Sequence, residues 1–174
     1  GLQDFKGPIV VDPVMIAKSG DALLQESAVA AMTRHILPLA TLLTPNLPEA
    51  ARLLGTSQAT TSAEMAAQGQ RLLDMGPQAV LMKGGHSEGG TCTDVLIGTG
   101  GVLATLSAAR VETRNTHGTG CTYSAAIAAQ LAKGLDLQEA VSAAHTYLQG
   151  AILASDQLQI GAGHGPVHHF HGQW

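Results

Sequence analysis

The run Asn115-Thr116-His117-Gly118-Thr119-Gly120-Cys121-Thr122 alternates glycine and threonine just before an apolar, alanine-rich stretch, Tyr123 to Leu131. Few structures satisfy that pattern. Gly118 and Gly120 lack a Cβ, so the backbone there can take angles closed to other residues and can approach a ligand closely. The alanine-rich stretch reads as a helix, and its first N–H groups have no partner inside the helix. Together with the helix dipole, those groups make a site for an oxyanion. Cys121 falls at the same end, where a cysteine thiolate is favoured. A glycine-rich turn that only caps a core helix has the same look, so the loop has to be read with the rest of the chain.

A helix this poor in large side chains packs closely, and the composition suits that. Hydrophobic residues make up 45%, charged residues 13% and aromatics only 3%. The core is therefore built from Ala, Val, Leu and Ile, which argues against disorder. At 174 residues the chain is one domain or most of one. The net charge of −4, with nine scattered basic residues, leaves no basic footprint for nucleic acid. No apolar run approaches the ~20 residues of a membrane span. Cys92 and Cys121 suggest no disulfide framework, which points to a reducing, cytoplasmic setting. No signal peptide is visible. The chain opens on Gly1 rather than Met, so either a processed start or a piece of a longer chain is expected.

Strand and helix patterns alternate along the chain. Residues 8–15 (PIVVDPVM) read as a buried strand ending at Asp12-Pro13, and residues 27–37 as a helix. A second strand spans 40–44, closed by Pro45. A short helix over 48–54 is stopped by Gly55. Ser62 can cap the next helix, which has Met65, Leu72 and Leu73 inward and ends at Gly76-Pro77. A third strand covers 79–83. Residues 93–97 and 102–106 form a hairpin around Gly98-Thr99-Gly100-Gly101. The glycine-rich loop, its helix and a last helix from 137 to about 155 follow. The alternation predicts an α/β fold with a mostly parallel sheet. Ligands of such sheets bind beyond the carboxyl ends of the strands, which is where Asp12, Asn46, Lys83 and the glycine loop should fall.

Each of these positions has a chemical reading and a structural one. Asp12 can bind a metal or its water shell, or cap the next turn. In Thr44-Pro45-Asn46-Leu47-Pro48-Glu49, two prolines set the turn. Asn46 can reach a phosphate, and Glu49 offers hard oxygen for Mg²⁺ or a favourable charge in a first helical turn. Lys83, before Gly84-Gly85, is a cation at a strand end that fits a phosphate better than a merely solvated lysine does. Cys121 is a general-base candidate or a small buried hydrophobe. Together the parts amount to a phosphoryl-transfer kit of metal site, cation, backbone donors and base.

At these residues the chain resembles the hydroxymethylpyrimidine/phosphomethylpyrimidine kinases of thiamine biosynthesis, in the ribokinase-like superfamily. The matching stretches are VVDPVMIAKSGDALL (10–24), LLTPNLPEAARLLG (42–55), VLMKGGH (80–86), NTHGTGCTYSAAIAA (115–129) and GHGPVHHFHGQW (163–174). The resemblance implies a three-layer ribokinase-like fold and two successive ATP-dependent phosphorylations. The acceptors are 4-amino-5-hydroxymethyl-2-methylpyrimidine and then its monophosphate. It implies ATP and Mg²⁺ as cofactors, a small pyrimidine as substrate, and a homodimer. By motif, Cys121 stands where sugar-kinase relatives carry an aspartate base. Gly118, Thr119 and Gly120 then supply the anion hole, and Lys83 meets the transferring phosphate. Asp12 and Glu49 match the Mg²⁺ acids. Asn46, Gly85 and Thr116 match nucleotide contacts, and Val14 lies beside the pyrimidine ring.

The family carries roughly another third of chain, with the first sheet strands and most of the pyrimidine pocket, before the residues matched here. The chain then corresponds to the C-terminal, nucleotide-binding part of a single kinase domain, lacking its N-terminal strands. Two rivals remain. A pyridoxal kinase of the same superfamily shares the DPV, TPN and glycine-loop motifs, although Cys121 and the PVHHFH tail favour the pyrimidine kinase. A non-catalytic nucleotide-binding fragment is the other. The tail histidines His164, His168, His169 and His171 make a weak metal candidate beside an ordered tail. His117, His86, Lys18 and Asp21 rank low as nucleotide neighbours.

Overall fold

Pro8 and Pro13 bracket the first apolar run, and their missing N–H groups limit its ladder to Val10–Val11 (β1). The expected strand over 8–15 is therefore much shorter. Leu42–Leu43 (β2) is likewise shorter than the 40–44 expected, and Ala79–Met82 (β3) ends one residue before Lys83. The computed structural model describes residues 1–15, 23–85 and 90–173. Lys18, Asp21 and His86 lie outside these residues, as do parts of the first and third family motifs.

Between the strands run Glu26–His35 (α1), Leu47–Leu54 (α2) and Ser62–Leu73 (α3). The helix expected to reach residue 37 stops at His35 and continues as a 3-10 turn, Leu37–Leu39, because Pro38 has no N–H to continue the α-ladder. α2 ends at Gly55 in the left-handed region (φ 63°), as a glycine stop predicts. α3 is capped by Thr61 and not by Ser62. The Thr61 hydroxyl accepts the Glu64 N–H at 3.2 Å, and the Glu64 carboxylate accepts the Thr61 N–H at 3.1 Å. The hairpin is confirmed and longer than expected: Thr91–Gly98 (β4) and Gly101–Ala109 (β5), joined through Thr99 and Gly100. Thr119–Ala132 (α4) and Leu137–Leu153 (α5) complete the chain.

The strands form one sheet in the order β1-β2-β3-β4-β5. β1, β2 and β3 run parallel, in the register Val10↔Leu42, Val11↔Leu43 and Leu43↔Val80. β4 turns antiparallel to β3, from Ala79↔Gly98 to Met82↔Val95. All four residues of β3 are buried, as expected of a strand flanked on both edges. α3 packs on β3 and β4.

The chain divides into two compact units, residues 1–107 and 108–174. The first has its core in Val11, Leu43, Val80, Met82, Val95 and Ile97 of the sheet, with Leu47, Met65 and Leu72 of the helices. Each fully buried Leu of this kind stabilises the fold by about 1.5–3 kcal/mol. The second unit packs α4 on α5. Tyr123, Ile127, Val141, Ala144, Leu148 and Val167 are buried there. No helix among the described residues is long and apolar enough to cross a membrane.

Candidate active site

Because β1, β2 and β3 are parallel and adjacent, the residues that follow them leave the sheet on one side. Asp12, Thr44-Pro45-Asn46 and Lys83 all emerge there, at the carboxyl edge where α/β sheets bind ligands. The backbone holds the group together. The Thr44 N–H donates to the Val11 carbonyl at 2.9 Å, the Lys83 N–H donates to the Pro45 carbonyl at 2.9 Å, and Asn46 and Lys83 form a parallel bridge.

Lys83 Nζ donates to Asp12 Oδ1 at 2.9 Å. The two side chains are only 12% and 14% exposed, so this ion pair is shielded in a way that surface pairs are not. Thr44 Oγ1 also donates to Asp12 Oδ1, at 3.4 Å. Asn46 caps α2. Its Oδ1 accepts the Glu49 N–H at 2.9 Å, while Glu49 Oε2 accepts the Asn46 N–H at 2.9 Å. Glu49 Oε1 accepts the Met15 N–H at 3.3 Å.

Glu49 is 3% exposed. Burial pushes its carboxyl above the usual range, and the nearby charge of Asp12 adds to that rise. The Asn46 and Met15 N–H groups and the charge of Lys83 oppose it without cancelling it. Two acids and one lysine therefore share a poorly hydrated edge with an excess of negative charge. Among the described residues no group of three His, Cys, Asp or Glu side chains is placed to hold a metal ion. Mg²⁺ characteristically takes one or two carboxylates and fills its remaining positions with water and phosphate oxygens, so a two-acid donor set fits it.

Val14 has φ 36°, rare for a β-branched residue, and is 40% exposed. It stands directly before the fully buried Met15. Gly85 has open space around its Cα, whereas a Cβ on Gly84 would fall 1.9 Å from the Thr93 carbonyl oxygen. The two glycines after Lys83 thus differ: Gly84 is required by close packing on β4, and Gly85 leaves room.

In the second unit, Gly118 is the N-cap of α4 at φ 82°. Thr119, Gly120 and Cys121 form the first turn, and Thr122 N–H makes the first helical bond, to the Gly118 carbonyl at 2.8 Å. Thr119 Oγ1 donates to the Thr116 carbonyl at 2.8 Å. Cys121 is a free, exposed cysteine rather than a buried hydrophobe. The structure thus gathers Asp12, Asn46, Glu49 and Lys83 in the first unit. It gathers Thr116, Gly118, Thr119, Gly120 and Cys121 in the second.

The tail histidines make tail contacts. His168 N–H donates to the Ala151 carbonyl at 2.9 Å, and the His171 ring lies tilted at 43° to that of Tyr147, with centroids 5.3 Å apart. The His169 ring lies 3.0 Å from Thr122 Oγ1. Sequence reasoning missed Arg52, whose guanidinium donates to the Met15 and Leu24 carbonyls at 3.3 and 3.0 Å and to Glu26 at 2.7 Å. It also missed the contacts of Asn115, although that residue lies inside a quoted motif.

A relative from Rhizobium meliloti (strain 1021), named hydroxymethylpyrimidine/phosphomethylpyrimidine kinase, is 57% identical over all 174 residues of this chain, which span 65% of that relative. Among solved structures, a Staphylococcus aureus pyridoxal kinase in complex with ADP superposes with a TM-score of 0.86 at 32% identity, over 95% of this chain and 59% of that one. A phosphomethylpyrimidine kinase from Clostridium difficile 630 superposes with a TM-score of 0.69 at 37% identity, over 83% and 57%. The ribokinase-like α/β fold expected from the motifs is therefore present, in a chain spanning less than two thirds of these relatives. The family model described as phosphomethylpyrimidine kinase matches residues 1–168, and the chain belongs to that family.

Proposed function

We infer that this chain is the C-terminal, nucleotide-binding part of one kinase domain. Its reaction is phosphorylation of 4-amino-5-hydroxymethyl-2-methylpyrimidine by ATP, followed by phosphorylation of the monophosphate to the diphosphate. The observation that carries the reading is the gathering of Asp12, Asn46, Glu49 and Lys83 at the carboxyl edge of three parallel strands. It occurs in a chain 57% identical to a relative named for this activity. The relatives crystallised with ADP and AMP-PCP support a nucleotide as donor.

ATP supplies the phosphoryl group, which leaves the β-phosphate oxygen as the hydroxymethyl oxygen bonds to phosphorus. Catalysis of such a transfer is mostly positioning and charge stabilisation. Lys83 offsets the charge on the transferring group. Gly118, Thr119 and Gly120, at the positive end of the α4 dipole, supply an anion hole for phosphate charge. Asp12 and Glu49 would hold Mg²⁺, which when bound would supply positive charge to offset that of the phosphates. Asn46, Thr116 and Gly85 contact the nucleotide, and Val14 borders the pyrimidine. The hydroxyl proton passes to Cys121 Sγ as general base. The proposed setting is cytoplasmic, and the proposed assembly a homodimer.

The test is pyrimidine-dependent ADP release by the full-length protein, repeated with Cys121→Ala. Turnover should vanish in the variant while nucleotide binding persists. Near-normal turnover removes Cys121 from the mechanism. Saturable ATP binding with no turnover in the unaltered protein supports the non-catalytic rival instead.

A further inference from the structure

Asn115 stands three residues before Gly118, on the segment leading into α4, and both ends of its carboxamide are engaged. Nδ2 donates to the Ser155 carbonyl at 3.3 Å and to Asp156 Oδ1 at 2.9 Å, and Oδ1 accepts the Gly165 N–H at 3.1 Å. The Asn115 N–H donates to Thr113 Oγ1 at 3.1 Å, and that hydroxyl in turn donates to Asp156 Oδ1. The ties continue beyond Gly165. His117 N–H donates to the Gly165 carbonyl at 3.0 Å, and Val167 N–H donates to the His117 carbonyl at 3.3 Å. Residues on both sides of Thr116 are thus fastened to the segment after α5. Gly165 must be glycine for this, because a Cβ there would lie 2.1 Å from Asn115 Oδ1.

Gly118 has no side chain to restrict it, and no side chain caps α4. The helix fixes the backbone from Thr119 onward, so the loop's direction depends on what holds it from upstream. Donors that stabilise developing charge do so only when their orientation is set in advance. We propose that Asn115 is a positioning residue: its carboxamide clasps residues 155–165 to the segment entering Gly118 and so aims the N–H groups of the glycine loop. This rests on the reading of that loop as the anion hole.

The test uses the full-length protein carrying Asn115→Asp. The side chain keeps its shape, loses both Nδ2 donors and sets a second carboxylate against Asp156. kcat should fall ~10- to 100-fold, the scale of a misplacement of about 1 Å, with KM for the pyrimidine unchanged. The double variant Asn115→Asp/Asp156→Asn restores a donor between the two side chains and should recover most of kcat. If Asn115→Asp fails to fold, Gly165→Ala takes its place, since it displaces the carboxamide without adding charge. A lowered melting temperature with unaltered kcat and KM, measured well below the transition, would overturn the proposal. So would a folded double variant that remains as slow as the single one. Either result leaves the kinase reading intact, because that reading stands or falls on Cys121→Ala.

Discussion

Lys83 shows what a single residue does here. Its ammonium is within 2.9 Å of an acid that is itself only 14% exposed. Removing Lys83 therefore has two separable consequences. Lys83→Ala should lower kcat by ~10²–10³, the usual loss for one electrostatic donor to a transition state. It should also lower stability by on the order of 1 kcal/mol, because Asp12 is left poorly hydrated and unpaired. Lys83→Ala/Asp12→Asn should regain the stability in urea denaturation and none of the turnover. A Lys83→Ala enzyme with unaltered kcat would falsify the role. The candidates themselves were legible because Asp12, Asn46 and Lys83 each follow an apolar run broken by Pro or Gly. The pairing of Lys83 with Asp12 was not, because it joins residues 71 positions apart and only the parallel register brings them together. The same holds for the Asn115 carboxamide, whose partners lie 40 to 50 positions along the chain.

At the scale of the element, the helix starts follow from local chemistry. Asn46/Glu49, Thr61/Glu64 and Asp136/Glu139 are capping boxes, each pairing an N-cap side chain with a glutamate three residues on. The one-residue error at α3 arose because Thr61 and Ser62 are both good caps, and only the glutamate spacing selects Thr61. The strands were harder, since apolar runs such as residues 8–15 exceed the ladder that neighbouring strands and prolines permit. The α3 box also predicts a pH dependence. Bonds from the Thr60 N–H, the Thr60 hydroxyl and the Thr61 N–H hold the exposed Glu64 carboxyl below its ordinary 4.5. The unfolded chain therefore binds the proton more tightly. Ionised Glu64 contributes stability above pH 4.5, and that contribution is lost as pH falls through the folded-state value. Urea midpoints measured from about pH 6 down to about pH 3 should fall less steeply in Glu64→Gln than in the unaltered protein. Parallel curves would show that the box contributes no ionisation-linked stability.

At the scale of the whole molecule, likeness in fold and likeness in sequence rank two solved relatives differently. The pyridoxal kinase complexed with ADP superposes better than the Clostridium difficile pyrimidine kinase, with TM-scores of 0.86 and 0.69, yet it is less similar in sequence, at 32% against 37%. Backbone likeness reports a shared scaffold that hosts more than one acceptor and does not choose between them. The choice rests on side chains, and the one the proposed mechanism uses as base is the exposed Cys121 in the first turn of α4. The two acceptors also differ in the number of ring nitrogens and in the groups they present, so a pocket shaped for one leaves polar groups unpaired with the other. The full-length protein should therefore phosphorylate 4-amino-5-hydroxymethyl-2-methylpyrimidine with a kcat/KM at least ~10-fold above that for pyridoxal, a difference of about 1.4 kcal/mol in transition-state binding. Competition between the two acceptors at one ATP concentration, with both products resolved, measures that ratio directly. A ratio near one would mean a site that serves both, and a ratio favouring pyridoxal would reverse the assignment while leaving the fold and the phosphoryl-transfer residues as described.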